Sequence, residues 1–404
     1  MNSRIISKLT TGALVLMLMV VGCQNVTDVT NNSDLPGGDQ IIEGQYIVVM
    51  QASEAARYKL GNTSQIEVAR DAIMSDAQIP ERDVVVKYNN TIAGFTAQLT
   101  DEQLIRLNAN KGVKYIEKDR VVSFAPPGSC SPWPGCKDGG DDDGGGSTTQ
   151  ETPYGITRVN GGATYTGSNV AWVIDSGIDL DHPDLNVDAS RGFNAFTSGR
   201  DGKSLDDRNG HGTHVAGTIA AIDNSEGVIG VAAGATVIPV KVLDSRGSGS
   251  YSGVIAGVDH VGANGSNGDV ANMSLGGPTS QALDDAVLAA SQNGIKFSLA
   301  AGNEGTDANN SSPARVNGSN IVTISAMDSN DNWASFSNYG NPPVDYAAPG
   351  VNVTSTWKDG GYNTINGTSM AAPHAAGVLL LGNASTDGNV NGDPDGNADP
   401  IIVN

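Results

Sequence analysis

Positive charge is scarce in this chain. Lys and Arg total 23 against 44 Asp and Glu, a formal net charge of −21. Such a surface repels phosphate polyanions, which excludes nucleic-acid binding through backbone charge. Charge of either sign is sparse, at 17% of residues against 38% hydrophobic, so a wholly disordered chain or a coiled coil is excluded. Long apolar runs are missing too. The N-terminal run Ala13–Val21 falls well short of the about 20 residues a bilayer span takes. Cysteine is nearly absent: Cys23, Cys130 and Cys136 make an odd count, which leaves one for a task other than pairing. What is abundant is glycine, 52 residues beside 17 prolines. That excess suits a loop-rich α/β or β protein and argues against a helical bundle.

Arg4 and Lys8 precede the apolar run, so residues 1–22 are expected to be a secretory signal peptide. Val20-Val21-Gly22-Cys23 resembles the bacterial lipoprotein signal, in which the cysteine is lipidated and becomes the new N-terminus. An ordinary signal with an incidental Cys23 is the plainer alternative. Residues 23–39 are polar and read as a tether. Residues 126–149 read as an exposed linker carrying a Gly/Asp run. Within it Cys130 and Cys136 bracket Ser-Pro-Trp-Pro-Gly, which suits a small disulfide loop in an oxidising compartment or two free thiols.

Between these segments, residues 40–125 alternate strand and helix signals. Tyr46–Met50, Val84–Tyr88, Thr91–Thr100 and Val113–Phe124 are strand-like. Thr100-Asp101-Glu102-Gln103 has capping-box spacing, Leu104 and Leu107 share a helical face, and Gly112 is placed to end that helix. The spacing predicts a small α+β sandwich. From 150 onward, apolar runs at Val170–Ile174, Thr236–Leu243, Val270–Leu275, Ile295–Ala301 and Ile321–Ala326 alternate with helix-like segments around 211–222, 251–263 and 281–292. This predicts an α/β fold with a parallel sheet covered by helices, its site at the carboxyl ends of the strands. The polar tail from Asn383 reads as a disordered acidic segment, with a cation loop as the alternative.

Three residues stand where such a sheet puts chemistry. Asp175 follows an apolar strand and opens Asp-Ser-Gly; His211 lies in Asn-Gly-His-Gly-Thr-His; Ser369 lies in Gly-Thr-Ser-Met-Ala. Singly they read as a turn residue, half of a His211/His214 metal pair, and a helix cap. Together, in the order Asp…His…Ser, they form a possible nucleophilic triad. A serine hydroxyl is a poor nucleophile, so an imidazole must take its proton and a buried carboxylate must hold the imidazole. Asn303, in Ala-Ala-Gly-Asn after another apolar strand, is placed to donate to an oxyanion beside the Ser369 N–H. No Gly-x-Ser-x-Gly elbow is present to favour an esterase.

Those four segments resemble the subtilisin-like serine proteases over about residues 150 to 382. The resemblance implies an exported serine endopeptidase with Asp175, His211 and Ser369 as triad and Asn303 as oxyanion donor. It implies that residues 40–125 are an inhibitory, ferredoxin-like pro-domain, and 150–404 the peptidase domain. Ser274, Leu275 and Gly276 would form a substrate-binding edge, Ala301 and Gly302 a pocket wall, with Ser311 near its floor. Gln150, Asp184 and Asn224, with the carbonyls of Ile222, Glu226 and Val228, match a family calcium site, so structural calcium is expected as cofactor. Expected partners are protein or peptide substrates and the chain's own pro-domain, in a monomer, with no nucleic acid and with membrane contact only through a lipid on Cys23. Localisation would be the bacterial cell envelope, or outside it after processing. A catalytically inactive peptide-binding scaffold is the competing implication.

Overall fold

In the computed structural model, residues 40–51, 63–123 and 149–404 are described. Cys23, Cys130, Cys136, the signal and tether, and all of the linker but Thr149 lie outside them. The N-terminal part runs β1 (Ile41–Met50), α1 (Thr63–Ala77), β2 (Val84–Tyr88), β3 (Gly94–Gln98), α2 (Asp101–Ala109) and β4 (Val113–Ser123). Its strands pair antiparallel in the order β4-β1-β3-β2, a ferredoxin-like α+β sheet. Ile47-Val48-Val49-Met50 shows no polar alternation because both faces of β1 are covered. Val48 and Met50 pack with Ile66, Ile73 and Leu107 of the helices, whereas Ile47 and Val49 face the rest of the molecule. The capping box forms: Gln103 N donates to Thr100 Oγ1 at 3.3 Å and Thr100 N to Gln103 Oε1 at 2.9 Å. Gly112 does not end α2 as its position suggested. The helix stops earlier, with Asn110 as C-cap, and the Gly112 N–H bonds Asn110 Oδ1.

The remaining chain supplies β5 (Ala171–Asp175), α3 (His211–Ala220), β6 (Thr236–Lys241), β7 (Ser248–Ser250), α4 (Tyr251–Asn264), β8 (Val270–Met273), α5 (Gln281–Ser291), β9 (Lys296–Ala300) and β10 (Ile321–Met327). Then come β11 (Val344–Pro349), β12 (Val353–Trp357), β13 (Gly361–Ile365), α6 (Thr368–Leu381), β14 (Ser385–Asn389) and β15 (Pro400–Val403). The main sheet orders them β14-β15-β11-β10-β9-β8-β5-β6, every pair parallel except β14 with β15. Period two assigns the faces. Ala171 and Val173 pack with α3 and α6, while Trp172 and Ile174 pack with α4 and α5. Among the described residues, no helix is long and apolar enough to cross a membrane.

The tail departs from the disordered segment its composition predicts. Ser385–Asn389 and Pro400–Val403 form a hairpin, and β15 joins β11 at Ala347–Ile401. The reason is local. Ile401, Ile402 and Val403 are buried and carry enough apolar surface to dock on the sheet edge.

The described residues cluster as one unit. Ile47, Val49, Tyr88, Ile92 and Val122 share a core with Tyr251, Val254, Val258 and Leu283 of α4 and α5. Acidic side chains on β4 meet the helix starts, where backbone N–H groups lack partners. Asp119 Oδ1 accepts from Ser252 N and Glu117 Oε2 from Ala282 N, both at 3.1 Å. Burial, partly offset by these helix-start hydrogen bonds, raises the Glu117 pKa.

Candidate active site

The carboxyl ends of the parallel strands deliver the chemistry. Asp175 terminates β5 and is fully buried. His211 is the first residue of α3, and its Nδ1 lies 2.8 and 3.0 Å from the two Asp175 oxygens. An ionised carboxylate accepts, so Nδ1 carries the proton and Nε2 is the nitrogen with a lone pair. Close approach explains the glycines around both residues. A Cβ on Gly212 would stand 2.1 Å from the Gly177 carbonyl oxygen, and Gly177 itself has φ +105°.

The start of α3 is held from upstream. Asp207 Oδ1 accepts from Ser176 Oγ, Asn209 N and Gly210 N, and Oδ2 from Thr213 N and Oγ1. One buried carboxylate thus ties the Asp-Ser-Gly turn to the first turn of the histidine helix. The second histidine is not a metal partner for the first. His214 Nε2 donates to the carbonyls of Val353 and Asn363 at 3.0 and 3.2 Å, and burial lowers its pKa to about 3, so it is neutral.

Ser369 is the second residue of α6. Its Oγ donates to Ser274 O at 3.2 Å, and Ser274 Oγ donates to Ser369 O at 2.7 Å. Asn303 Oδ1 accepts from Thr368 N and Oγ1 at 2.8 and 3.0 Å, which sets the orientation of its amide. A Cβ on Gly367 would lie 3.6 Å from Ser369 N and 3.7 Å from Asn303 Nδ2. The Ser369 N–H and the Asn303 amide thus lie about the same glycine at the start of α6.

A peptide backbone already lies along this region. Val121, Val122 and Ser123 pair antiparallel with Ser250, Gly249 and Ser248. Leu275 is buried and Gly276 stands close to the Ser312 carbonyl, while Ser311 pairs with Pro278. Ala301 is buried, with its carbonyl bonded by Asn338, and Gly302 adopts φ +108°.

The residues expected at a cation site also come together. Gln150 Nε2 donates to Ile222 O, Asn224 Nδ2 to Asp184 Oδ1, and Val228 N to Asp184 Oδ2. Glu226 N donates to Asn224 Oδ1. Asp184 is fully buried, and burial raises its pKa. Among the described residues, no group of three or more His, Cys, Asp or Glu side chains is placed to hold a metal. A site here would rest on one carboxylate with amide and carbonyl oxygens.

With this geometry in place, similarity to known proteins decides the family. The subtilase family model matches residues 167–386, more than half of the chain. The chain belongs to the subtilase family. The peptidase inhibitor I9 model matches residues 45–125 of this subtilase. Alkaline serine exoprotease A of Vibrio alginolyticus is 40% identical over 358 residues, 85% of this chain but only 61% of that protein's length. M-protease of Shouchella clausii is 41% identical over 325 residues, covering 78% of this chain and 76% of the relative. Subtilisin E of Bacillus subtilis is 38% identical over 340 residues, with 82% and 81% covered. The crystal structure of a cold adapted subtilisin-like serine proteinase superposes with TM-score 0.51 at 43% identity, covering 56% of this chain and 83% of that one. This subtilase is a serine protease of the subtilisin type with an I9 inhibitor region.

Two features of the subtilase went unread in its sequence. Ser248-Gly249-Ser250 pairs with β4 through main chain alone, so no side-chain pattern announces it. Asp207 sits four residues before His211, a helix-cap signal hidden because the capping carboxylate lies outside the usual N-cap position.

Proposed function

We propose that this chain is an exported serine endopeptidase, made as a self-inhibited precursor. The carrying observation is the buried Asp175–His211 contact at the start of α3, a helix that packs on the α6 helix opening at Thr368-Ser369, with β4 annealed to Ser248–Ser250. Asp175 holds the imidazole, and His211 takes the Ser369 proton as Oγ attacks a peptide carbonyl. The Ser369 N–H and Asn303 Nδ2 stabilise the oxyanion. His211 then protonates the leaving amine, and water hydrolyses the acyl-enzyme by the same route. Ser274–Gly276 and Ser248–Ser250 receive an extended substrate by main-chain pairing, with Ala301 and Gly302 walling the pocket. In this reading residues 1–22 are the signal, 23–39 a tether, 40–125 the inhibitor, 126–149 the linker and 150–404 the peptidase. Cys23 carries the lipid, Cys130 and Cys136 are bridged, and the enzyme acts as a monomer.

Intact mass of the full chain expressed in a bacterial host tests this. Wild type loses its N-terminal region and Ser369→Ala does not; the Ser369→Ala precursor begins at an acylated Cys23 and is lighter by two hydrogens for the disulfide. No trimming of wild type together with no peptide hydrolysis would favour the inactive scaffold; equal trimming of both proteins would be the work of a host protease, and peptide hydrolysis by the trimmed wild type against the trimmed Ser369→Ala protein then decides. An unacylated N-terminus would remove the lipid from the proposal.

Calcium is the second part of the reading. Asp184 is a buried carboxylate that accepts from Asn224 Nδ2, Val228 N and the Tyr362 hydroxyl, and Gly227, at φ +70°, closes over it so tightly that a Cβ would stand 2.4 Å from Oδ2. An oxygen-only donor set on a buried negative charge fits a hard cation of calcium type. Gln150, Asp184 and Asn224, with the carbonyls of Ile222, Glu226 and Val228, would hold it, and the ion would supply charge neutralisation. A chelator is expected to lower the Tm of the mature protein, and Asp184→Asn to abolish that response. A Tm indifferent to chelator would remove calcium from the reading.

A further inference from the structure

Outside the triad, one charged side chain beside the site is buried completely. Lys241 ends β6, the strand parallel to β5, and pairs in register with Asp175. It is the only charge in the run Thr236–Leu243, and none of it reaches solvent. Burying an ammonium is costly unless acceptors surround it, and methionine would fill the same space without that cost.

Its three donors go to three places. Lys241 Nζ donates to the Ser176 carbonyl at 2.6 Å and to the Asp206 carbonyl at 3.3 Å, and stands 3.4 Å from Asp201 Oδ1. Ser176 follows Asp175, and its other polar groups face the site. Its N donates to Asp175 Oδ1 at 2.7 Å, and its Oγ donates to Asp207 while accepting from Gly212 N in the first turn of α3. The ammonium thus holds the remaining polar group of a residue whose others hold the Asp175 carboxylate and the histidine helix. Asp206 directly precedes the capping Asp207, so the cap is steadied through its own backbone as well. Asp201 sits in a turn clasped by Asn194, whose Nδ2 donates to the carbonyls of Asp201 and Ser204 at 2.8 and 3.1 Å. Asp201 Oδ1 is buried and accepts no hydrogen bond among the described residues, so the nearby ammonium balances its charge.

We propose that Lys241 is a positioning residue for the Asp175–His211 pair: it fixes the Ser176 peptide that orients the carboxylate, and with Asp201 it sets the charge that the imidazole experiences. The inference rests on the triad reading. A positive charge near an imidazole disfavours the imidazolium, and a negative charge favours it. The two halves of the ion pair therefore act on His211 with opposite sign, which a loss of packing would not produce. The other charged and titratable groups about the pair are Asp207 ahead of α3, Arg208, and Lys358, whose Nζ donates to the Arg208 carbonyl. With them stand the neutral histidines His214 on α3 and His374 on α6. Substitution at 241 or 201 leaves all of these in place.

The test reads the His211 ring titration by NMR in the Ser369→Ala full chain, and the pH profile of kcat/KM in the active chain after processing. Lys241→Met is expected to raise the His211 pKa by about half a pH unit or more, and Asp201→Asn to lower it by as much. The double variant should return it close to wild type. Turnover follows the Ser176 carbonyl instead: kcat is expected to fall about 10- to 100-fold in Lys241→Met and in the double variant, with KM little changed. Asp201→Asn keeps the ammonium on Ser176 and should lose less. Shifts of the same sign in both single variants, or no shift in Asp201→Asn, would overturn the proposal, as would full turnover in Lys241→Met. Should Lys241→Met fail to fold, the nearly isosteric Asp201→Asn decides by its ring titration alone. Absence of Ser369-dependent hydrolysis in wild type would overturn the triad reading instead, and the ring titration would still decide whether Lys241 and Asp201 act on the pair.

Discussion

At the scale of single residues, each site side chain is held by a second one that the sequence gives less reason to notice. Asn303 has two tasks in one amide in the proposed reading: its oxygen accepts from Thr368 N and Oγ1, and its nitrogen would donate to the oxyanion. The tasks separate by substitution. Asn303→Ala is expected to lower kcat by about 100- to 1,000-fold, a range borrowed from subtilisin itself, with KM little changed. It should also lower Tm, because Thr368 loses its acceptor at the start of α6. Asn303→Asp keeps the acceptor, so kcat should fall with Tm preserved. Steady-state kinetics beside thermal melts check both. Asp175, His211, Ser369 and Asn303 stood out in the sequence because the chemistry proposed for them demands particular residue types beside glycine. Asp207 did not, because a capping carboxylate is one acidic residue among many until the fold brings its five donors to it.

At the scale of elements, the expected strands and helices beyond residue 150 shifted at their ends by only a residue or two, whereas β1 begins five residues before its apolar run, β3 begins three residues late, and α1 and β11–β13 went unread. The tail did not follow. Composition over Asn383–Pro400 is polar, and only the last apolar residues reveal a strand that docks on β11. Within that hairpin, Asp399 is fully buried. Burial raises its pKa to about 6, against hydrogen bonds from Ser325 and Asn341 and helped by the charges of Asp393 and Asp395. A raised carboxyl pKa means that the folded state holds the proton more tightly than the unfolded chain. Its stabilising effect is therefore full below about pH 4 and is lost as pH rises through 6. Asp399→Asn is expected to stabilise the protein at pH 8 by up to about 3 kcal/mol and to change little at pH 4. Melts at the two pH values check it, and a variant less stable at pH 8 would show an ionised Asp399 in use.

At the scale of the whole molecule, two fully buried histidines oppose that trend. His214 on α3 and His374 on α6 have their pKa values lowered to about 3 and about 4, chiefly by burial. Both groups are neutral in the fold and charge on unfolding. Their contribution is full above the unfolded value of about 6.5 and is lost as pH falls, each by up to about 1.4 kcal/mol per pH unit. Acid melts of the Ser369→Ala precursor between pH 4 and 7 should therefore steepen below pH 6. His214→Gln, which keeps a donor for the Val353 carbonyl, should make that limb shallower by one proton. An unchanged slope would mean that His214 is already charged in the fold.

Sequence alone determined the chemistry and the class of fold. Triad residues must be those types, glycines must stand where backbones touch, and strands buried on both faces must be apolar throughout. Tertiary structure decided what depends on convergence. The pairing of β4 with Ser248–Ser250 uses only main chain, and the Asn89–Thr91 turn meets Asp259 across about 170 residues of chain. The cap by Asp207 and the docking of the tail belong with them. Such contacts leave no periodic trace, because hydrogen-bond donors and carboxylates occur everywhere on a polar surface. Only the fold selects which of them meet.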